Sequence, residues 1–215
     1  MCFSATASFA VAAGTGVVGT FTLAHVRSAR ELPLAIVPLV FAVQQAVEGL
    51  LWLLLEGGGR DALVGFAATT FAVFALVVWP VLASLAPLLI EARPGRVRVL
   101  SILFALSLGL SGYFLVVIIG HPYGVAIAGH SLQYDNGVVY PGLPRLAYVL
   151  ATCAPLLVSS HRAMRLLGVT VSVGLAVSLA VYYDALFSVW CFFAAASSVL
   201  VYAHFAVFRA RGLAA

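Results

Sequence analysis

The chain of 215 residues is 64% hydrophobic and only 8% charged, with a mean hydropathy of +1.14, whereas a soluble domain carries about 25% charged residues. That composition excludes an ordinary soluble enzyme or binding module and points to a multi-pass protein of the cell (inner) membrane. All eleven cations are arginines and the formal net charge is +4; scattered through short connections, they offer no nucleic-acid surface, and the partner they imply is the lipid bilayer.

A helix needs about 20 mainly apolar residues to cross the hydrocarbon core, and seven stretches qualify, at about 5–26, 33–56, 63–91, 97–119, 143–160, 165–183 and 186–208. Pro, Gly or Arg clusters bound each of them. The first basic residue is Arg27, which is no n-region of a secretory leader, so the first stretch reads as a retained span. Arg27 and Arg30 follow the first span, Arg93, Arg96 and Arg98 the third, Arg162 and Arg165 the fifth, and Arg209 and Arg211 the seventh. Only Arg60 and Arg145 fall on the other side. This alternation predicts an N-terminus outside, a C-terminus in the cytoplasm and an outward-facing connection over 120–142. The expected fold is all-α, one seven-transmembrane-helix bundle over 1–215, with Gly14, Gly16, Gly109, Gly112, Gly168, Gly174 and Ala194 to Ala196 allowing close helix packing. Trp79-Pro80 predicts a kink in the third span.

Several functions can be set aside. Without lysine there is no retinal Schiff base, no span carries the periodic arginines of a voltage sensor, and the five histidines lie near span ends or in the long connection, where paired heme ligation is hard to build.

Glu48 is the most informative residue. It stands in FAVQQAVEGLLWLLLE, about eight residues or ~12 Å from the outer end of its span, and an intramembrane carboxylate is a functional-site candidate by default. Gln44, Gln45 and Trp52 stand at i−4, i−3 and i+4 from it, so one helix face carries a polar stripe. Other polar groups reach the same level: Cys2, Ser4 and Ser8 at the first span, Tyr113 and His121 at the end of the fourth, Asp184 at the end of the sixth, and Ser188, Trp190 and Cys191 opening the seventh. The connection adds His130, Tyr134 and Asp135. Thiolate, imidazole and carboxylate suit zinc or another transition metal, which makes Cys2, Glu48, His130 and Cys191 the candidate ligands. Cys2 and Cys191 could instead pair as a disulfide on the oxidising side, and Cys153 reads as a core thiol. Toward the other face, LVSSHRAMR brings Ser159, Ser160 and His161, YAHF brings Tyr202 and His204, and His25 ends the first span. A serine beside a histidine suggests nucleophilic catalysis, with Glu31 or Glu91 as the only nearby carboxylates, or else a helix end at head-group level.

MCFSATASF at the start, RELP, QxxEGxxW from Gln45 to Trp52, WP at Trp79-Pro80, Gly129-His130 with Tyr134, LVSSHRAMRLLG and SVWCFFAA from Ser188 to Ala195 together resemble a family of bacterial seven-span proteins with no established activity. Gln44 departs from that resemblance, which implies histidine there, and the departure weakens a metal site. Alkaline ceramidases are also seven-span and zinc-dependent, but they carry an HxxxH pair in the last span where this chain has His204 alone, so that likeness rests on span count.

Three functions fit these residues. One is a transition-metal-binding membrane protein, or a metal-dependent hydrolase or oxidoreductase, in which an outward cavity holds the metal and Glu48 acts as general base. Another is a transporter or channel for protons or a small solute, with Glu48 as the titrating group. The third is a sensor or scaffold that binds a lipid or a partner subunit, a second copy of the chain included.

Overall fold

The structure, a computed structural model, describes residues 4–129, 131–140, 142–181, 190, 191, 193, 195 and 197–208. Helix α1 runs Ala5–Leu23, a 3₁₀ turn at Ala29–Glu31 leads into α2 (Leu32–Ala35), and α3 spans Val37–Glu56. Helix α4 (Asp61–Val73) passes through a π-turn at Phe74–Val78 into α5 (Trp79–Ile90). Helix α6 covers Pro94–Gly120, α7 Gly142–Val158 and α8 Arg162–Val181. Trp190, Cys191, Phe193 and Ala195 are helical positions preceding α9 (Ser198–Ala203), which ends in a second π-turn at His204–Phe208.

Five helical stretches, Ala5–Leu23, Ala29–Glu56, Asp61–Ile90, Pro94–Gly120 and Arg162–Ala180, are long and apolar enough to cross a membrane. Helix α7 is apolar but has 17 residues, because Ser159 to His161 leave the helix instead of extending it as the hydropathy suggests. The all-α expectation holds with one addition. The connection after α6 folds into an antiparallel hairpin, β1 (Gly124–Ala128) and β2 (Ser131–Asp135), in register Val125↔Tyr134. Gly129 at its tip has φ +60, a conformation glycine adopts without strain. Tyr134 stacks on Phe71 of α4 with ring centroids 4.5 Å apart, and the Tyr123 N–H donates to Thr69 Oγ1 at 3.2 Å, which seats the hairpin on α4. The hairpin and the Arg93 to Arg98 segment stand at opposite ends of α6 and serve below as the hairpin end and the arginine end.

The predicted kink is the π-turn, and its chemistry explains how neighbouring helices lock to it. Trp79 N–H reaches back five residues to the Phe74 carbonyl. The same spacing would pair the Ala75 carbonyl with Pro80, which has no N–H to give. Tyr148 of α7 supplies the missing donor, its hydroxyl standing 2.6 Å from Ala75 O, while Ser111 of α6 donates to Val77 O at 2.9 Å. Carbonyls released inside an apolar helix must be satisfied by such neighbours. At α1 and α3 the close approach rests on glycine: a Cβ on Gly49 would lie 2.9 Å from the Phe9 ring, and one on Gly19 2.6 Å from Leu39. Of the glycines expected to mediate packing, Gly168 and Gly174 stand equally tight, whereas Gly14, Gly109 and Gly112 have no non-local atom within 4 Å of where a Cβ would be.

Removing either donor strands a buried carbonyl. Tyr148→Phe and Ser111→Ala are each expected to destabilise the fold by about 1–3 kcal/mol, read as a fall in unfolding temperature in detergent. An unchanged transition in both would dismiss the lock.

Candidate functional site

At 3.6 residues per turn, Phe41, Gln44, Gln45, Glu48 and Trp52 share one side of α3, and all five are buried, the two glutamines and the glutamate at 0% exposure. A polar layer results. Gln45 Nε2 donates to Glu48 Oε2 at 3.0 Å. Trp79 Nε1 donates to Gln44 Oε1 at 2.6 Å, and Gln44 Nε2 donates in turn to the Cys191 thiol at 3.2 Å. Phe41 stacks on the Trp79 ring, with centroids 3.8 Å apart, and holds the indole flat against α3. Glu48 lies near enough to Cys191 to act on it electrostatically. One amide, that of Gln44, therefore ties α3, α5 and the last helix together.

Below this layer, toward the arginine end, lies a partly open chamber of about 70 Å³ lined by Leu34, Val37, Phe41, Trp79, Leu82, Ala83, Ala86, Tyr148, Thr152, Leu156, Leu167, Val171, Trp190 and Cys191. Its wall is almost wholly apolar. Its few polar groups are spoken for: Tyr148 OH by Ala75, Thr152 Oγ1 by the Tyr148 carbonyl at 2.8 Å, and Trp190 Nε1 by the Val171 carbonyl at 3.1 Å. From Trp79 to Ala86 the α5 wall rises ~10 Å at 1.5 Å per residue. The Cys191 thiol and the Trp79 indole are the groups at which polar layer and chamber touch. Glu48 itself lines neither this chamber nor the small one beneath the hairpin.

The structure thus joins Gln44, Gln45, Glu48, Cys191 and, through the chamber wall, Trp190. Trp52 continues the same side of α3 one turn further on. Tyr113 and His121 are exposed, Tyr113 at 42%, and stand apart from the layer, while Tyr134 serves the hairpin. Cys2, His130 and Asp184 lie outside the described residues. Cys191 is a free, buried thiol, so the disulfide alternative is not adopted. Among the described residues no three or more His, Cys, Asp or Glu side chains gather as a metal site would require. Sequence reasoning passed over two contributors: Trp79, taken only for its place before a proline, and Tyr148, which carries no motif.

At the arginine end Glu91 and Ser160 form a second cluster. Glu91 follows the last residue of α5 in extended conformation. Its Oε1 accepts from the Ser160 hydroxyl at 2.7 Å and from the Ala92 and Arg93 N–H groups at 3.1 Å each, and its Oε2 accepts from Ser160 N–H at 2.7 Å. The Ser160 hydroxyl is thereby committed as a donor to a carboxylate. His161 donates from Nε2 to the Ile90 carbonyl at 3.0 Å, and its ring meets His204 edge-on at 5.7 Å. Arg96 closes the same corner, donating to Val158 O at 3.0 Å. Ser160, His161 and His204 are therefore neighbours as expected, and the carboxylate that joins Ser160 is Glu91. Burial alone would raise the Glu91 carboxyl, but the bonds from Ser160 and Arg93 and the nearby His161 outweigh it and hold the pKa below the ordinary 4.5.

Helices long and apolar enough to cross a membrane, packed around a buried polar layer and an apolar chamber, define the class as an all-α protein of membrane type. The chain belongs to DUF6629, a family of unknown function, whose model matches residues 1–214. No curated protein and no solved structure matches it.

Because the folded-state pKa of Glu91 is depressed, its contribution to stability is fully present above the ordinary carboxyl range and is lost as the pH falls through the folded value. Glu91→Gln is expected to lower stability by about 2–4 kcal/mol at pH 7 and to flatten the acid limb below pH 4.5. Parallel stability profiles for the two proteins from pH 3 to 7 would contradict this assignment.

Proposed function

We propose that the chain is a seven-span integral protein of the cell membrane that binds a hydrophobic, lipid-class molecule in the chamber between α3, α5, α7 and α8. The observation that carries this reading is the chamber itself, an apolar space that meets the polar layer at Trp79 and the Cys191 thiol. Composition, five helices of spanning length, an apolar α7 and the hydrophobic stretch at 186–208 support seven spans. The positive-inside rule then sets the arginine end in the cytoplasm and the hairpin outside. In that setting an apolar guest enters from the bilayer and gains nothing from burial as such, since lipid is as apolar as the wall; shape and the polar layer select it. The Cys191 thiol and the Trp190 and Tyr148 rings at the hairpin end of the chamber would face the guest's more polar terminus.

The metal reading retains one specific support: Glu48 and Cys191, a carboxylate and a thiol from different helices, come together in one layer. Zinc or a similar ion bound there would draw its remaining ligands from elsewhere in the chain, Cys2 and His130 being the sequence candidates.

Two measurements separate these readings. Organic extraction of the purified protein is expected to release a hydrophobic compound near one per chain, reduced several-fold in Leu82→Trp, which fills the chamber at a cost of about 1–3 kcal/mol. Equal recovery from both proteins would mark the compound as bulk lipid and end the chamber reading. Elemental analysis is expected, on the metal reading, to find about one transition metal per chain in the wild type and none in Cys191→Ser or Glu48→Gln; a metal content at background in the wild type would end it.

A further inference from the structure

Two buried donors near Glu48 break a rule that their counterparts obey. The described buried serines and threonines within the helices nearly all donate to a carbonyl: Thr15 to Val11, Thr22 to Val18, Ser84 to Pro80, Ser107 to Leu103, Ser111 to Val77 and Thr152 to Tyr148 among them, at 2.7–2.9 Å. Ser8, at 0% exposure, makes no such bond. Trp79 and Trp190 donate their indole N–H groups to Gln44 and Val171, but Trp52, at 3% exposure, donates to nothing. An unmet buried donor costs about 1–3 kcal/mol, and an indole N–H has no acceptor capacity to fall back on. Ser198 is a third exception, but it stands seven residues beyond Cys191 along the last helix, at another level.

Ser8 and Trp52 share a level and a seam. Phe9 packs on Gly49, a Cβ on Gly16 would lie 3.7 Å from that of Ala42, and Gly19 packs on Leu39, so α1 and α3 run antiparallel with residue 8 opposite the turn that holds Gly49 and Trp52. Those contacts also mark the line of α1 that faces α3. At ~100° per residue, Ser8 falls about a quarter turn to one side of it, together with Thr15 and Thr22. Trp52 falls about a quarter turn from the α1-facing line of α3, on the side it shares with Gln45 and Glu48. Helix α9 packs against both α1 and α3 further along the same seam.

We infer that the seam between α1, α3 and the last helix binds a hydroxyl oxygen that accepts from Trp52 Nε1 and Ser8 Oγ and donates to Glu48. A hydroxyl has two lone pairs and one proton, matching two donors and one carboxylate, and Glu48 retains room to accept because a carboxylate offers about four lone-pair sites. Trp52 and Glu48, one turn apart on the same side, have Cβ atoms about 5–6 Å from each other, which one bridging oxygen spans. The site unites two motifs that the polar layer and chamber leave unexplained: Ser8 of MCFSATASF and Trp52 of QxxEGxxW. The hydroxyl comes from water or from the head group of a bound lipid.

Indole NMR tests this on the full chain in nanodiscs, since three tryptophans give three ¹H–¹⁵N indole signals. The Trp52 signal, identified by its loss in Trp52→Phe, is expected at a hydrogen-bonded downfield position and to move upfield in Ser8→Ala and Glu48→Gln. If Trp52→Phe fails to fold, Trp79→Phe and Trp190→Phe assign the other two of the three indole signals and leave that of Trp52 by elimination. A Trp52 signal at the position of a free indole N–H, or one indifferent to both substitutions, overturns the site. Deuterium exchange of that N–H then names the source. Exchange within minutes indicates water, and protection that persists until the protein is delipidated indicates a lipid hydroxyl.

Discussion

A proline in the middle of a 30-residue apolar helix creates the constraint on which the remaining arrangement depends. Pro80 cannot donate to the turn before it, and in a medium without water the released carbonyls must find protein donors. Tyr148 and Ser111 answer, so α7 and α6 are pinned to the break by hydrogen bonds rather than by apolar contact alone. The π-turn also rotates the residue that follows it. Trp79 emerges with its indole directed at Gln44 and its face on Phe41, and from Gln44 the chain of donors continues to Cys191. Tyr148 meets the Trp190 ring edge-on at 5.5 Å, which returns the connection to the last helix. A single missing N–H thus organises contacts among α3, α5, α6, α7 and the last helix.

The polar layer built on this break is expensive in isolation and tolerable as a network. A buried primary amide has two N–H donors and a carbonyl oxygen with two lone pairs, and leaving its polar groups unmet costs more than a typical bond returns. Gln44 meets Trp79 with its carbonyl and Cys191 with its amide; Gln45 turns its amide to Glu48. Each glutamine thereby resolves a different buried group. A neutral histidine at position 44 would carry one acceptor and one donor nitrogen, the same complement that Gln44 presents to Trp79 Nε1–H and to the Cys191 thiol. The second cluster works differently. Glu91 leaves its helix and collects four short donors at the arginine end, where it fastens the α5–α6 connection to the α7–α8 connection.

Much of this was legible because helical spacing is rigid. Glu48 with partners at i−4, i−3 and i+4 reads off FAVQQAVEGLLW without any coordinates, and the bonds from Gln45 and Gln44 follow the stripe. WP announced a distortion, but no local signal tells whether the tryptophan before a proline lines a wall or donates across it. Tyr148 and Ser111 were illegible for the same reason: what calls on them is a carbonyl more than thirty residues away. LVSSHRAMR and YAHF place Ser160, His161 and His204 toward the same end, yet Glu91 reads from the sequence only as one of two loop carboxylates, since the fold alone decides that residue 91 faces residue 160. The hairpin was hidden by its short strands of mixed composition, GVAIA and SLQYD, within a connection that hydropathy reads only as not helical.

The opening nonapeptide shows how one stretch can divide its tasks. Ser4 caps α1, its hydroxyl accepting from Ala7 N–H at 3.2 Å. Phe9 lays its ring on the backbone of Gly49, in the very EG step that carries Glu48. Between them Ser8 is held near the level of that carboxylate, its hydroxyl buried and without a hydrogen bond to its own helix. The buried side of α1 is Ser8, Thr15, Gly19 and Thr22, with no large apolar residue among them. Such a side contributes little dispersion energy of its own, and its small residues let the backbone come close instead. Close approach fixes the distance between α1 and α3, and that distance decides whether a donor on one helix and a carboxylate on the other can share one oxygen. The glycine that admits Phe9 and the serine that precedes it are therefore parts of one device, in which steric fit sets the spacing and the spacing sets the chemistry.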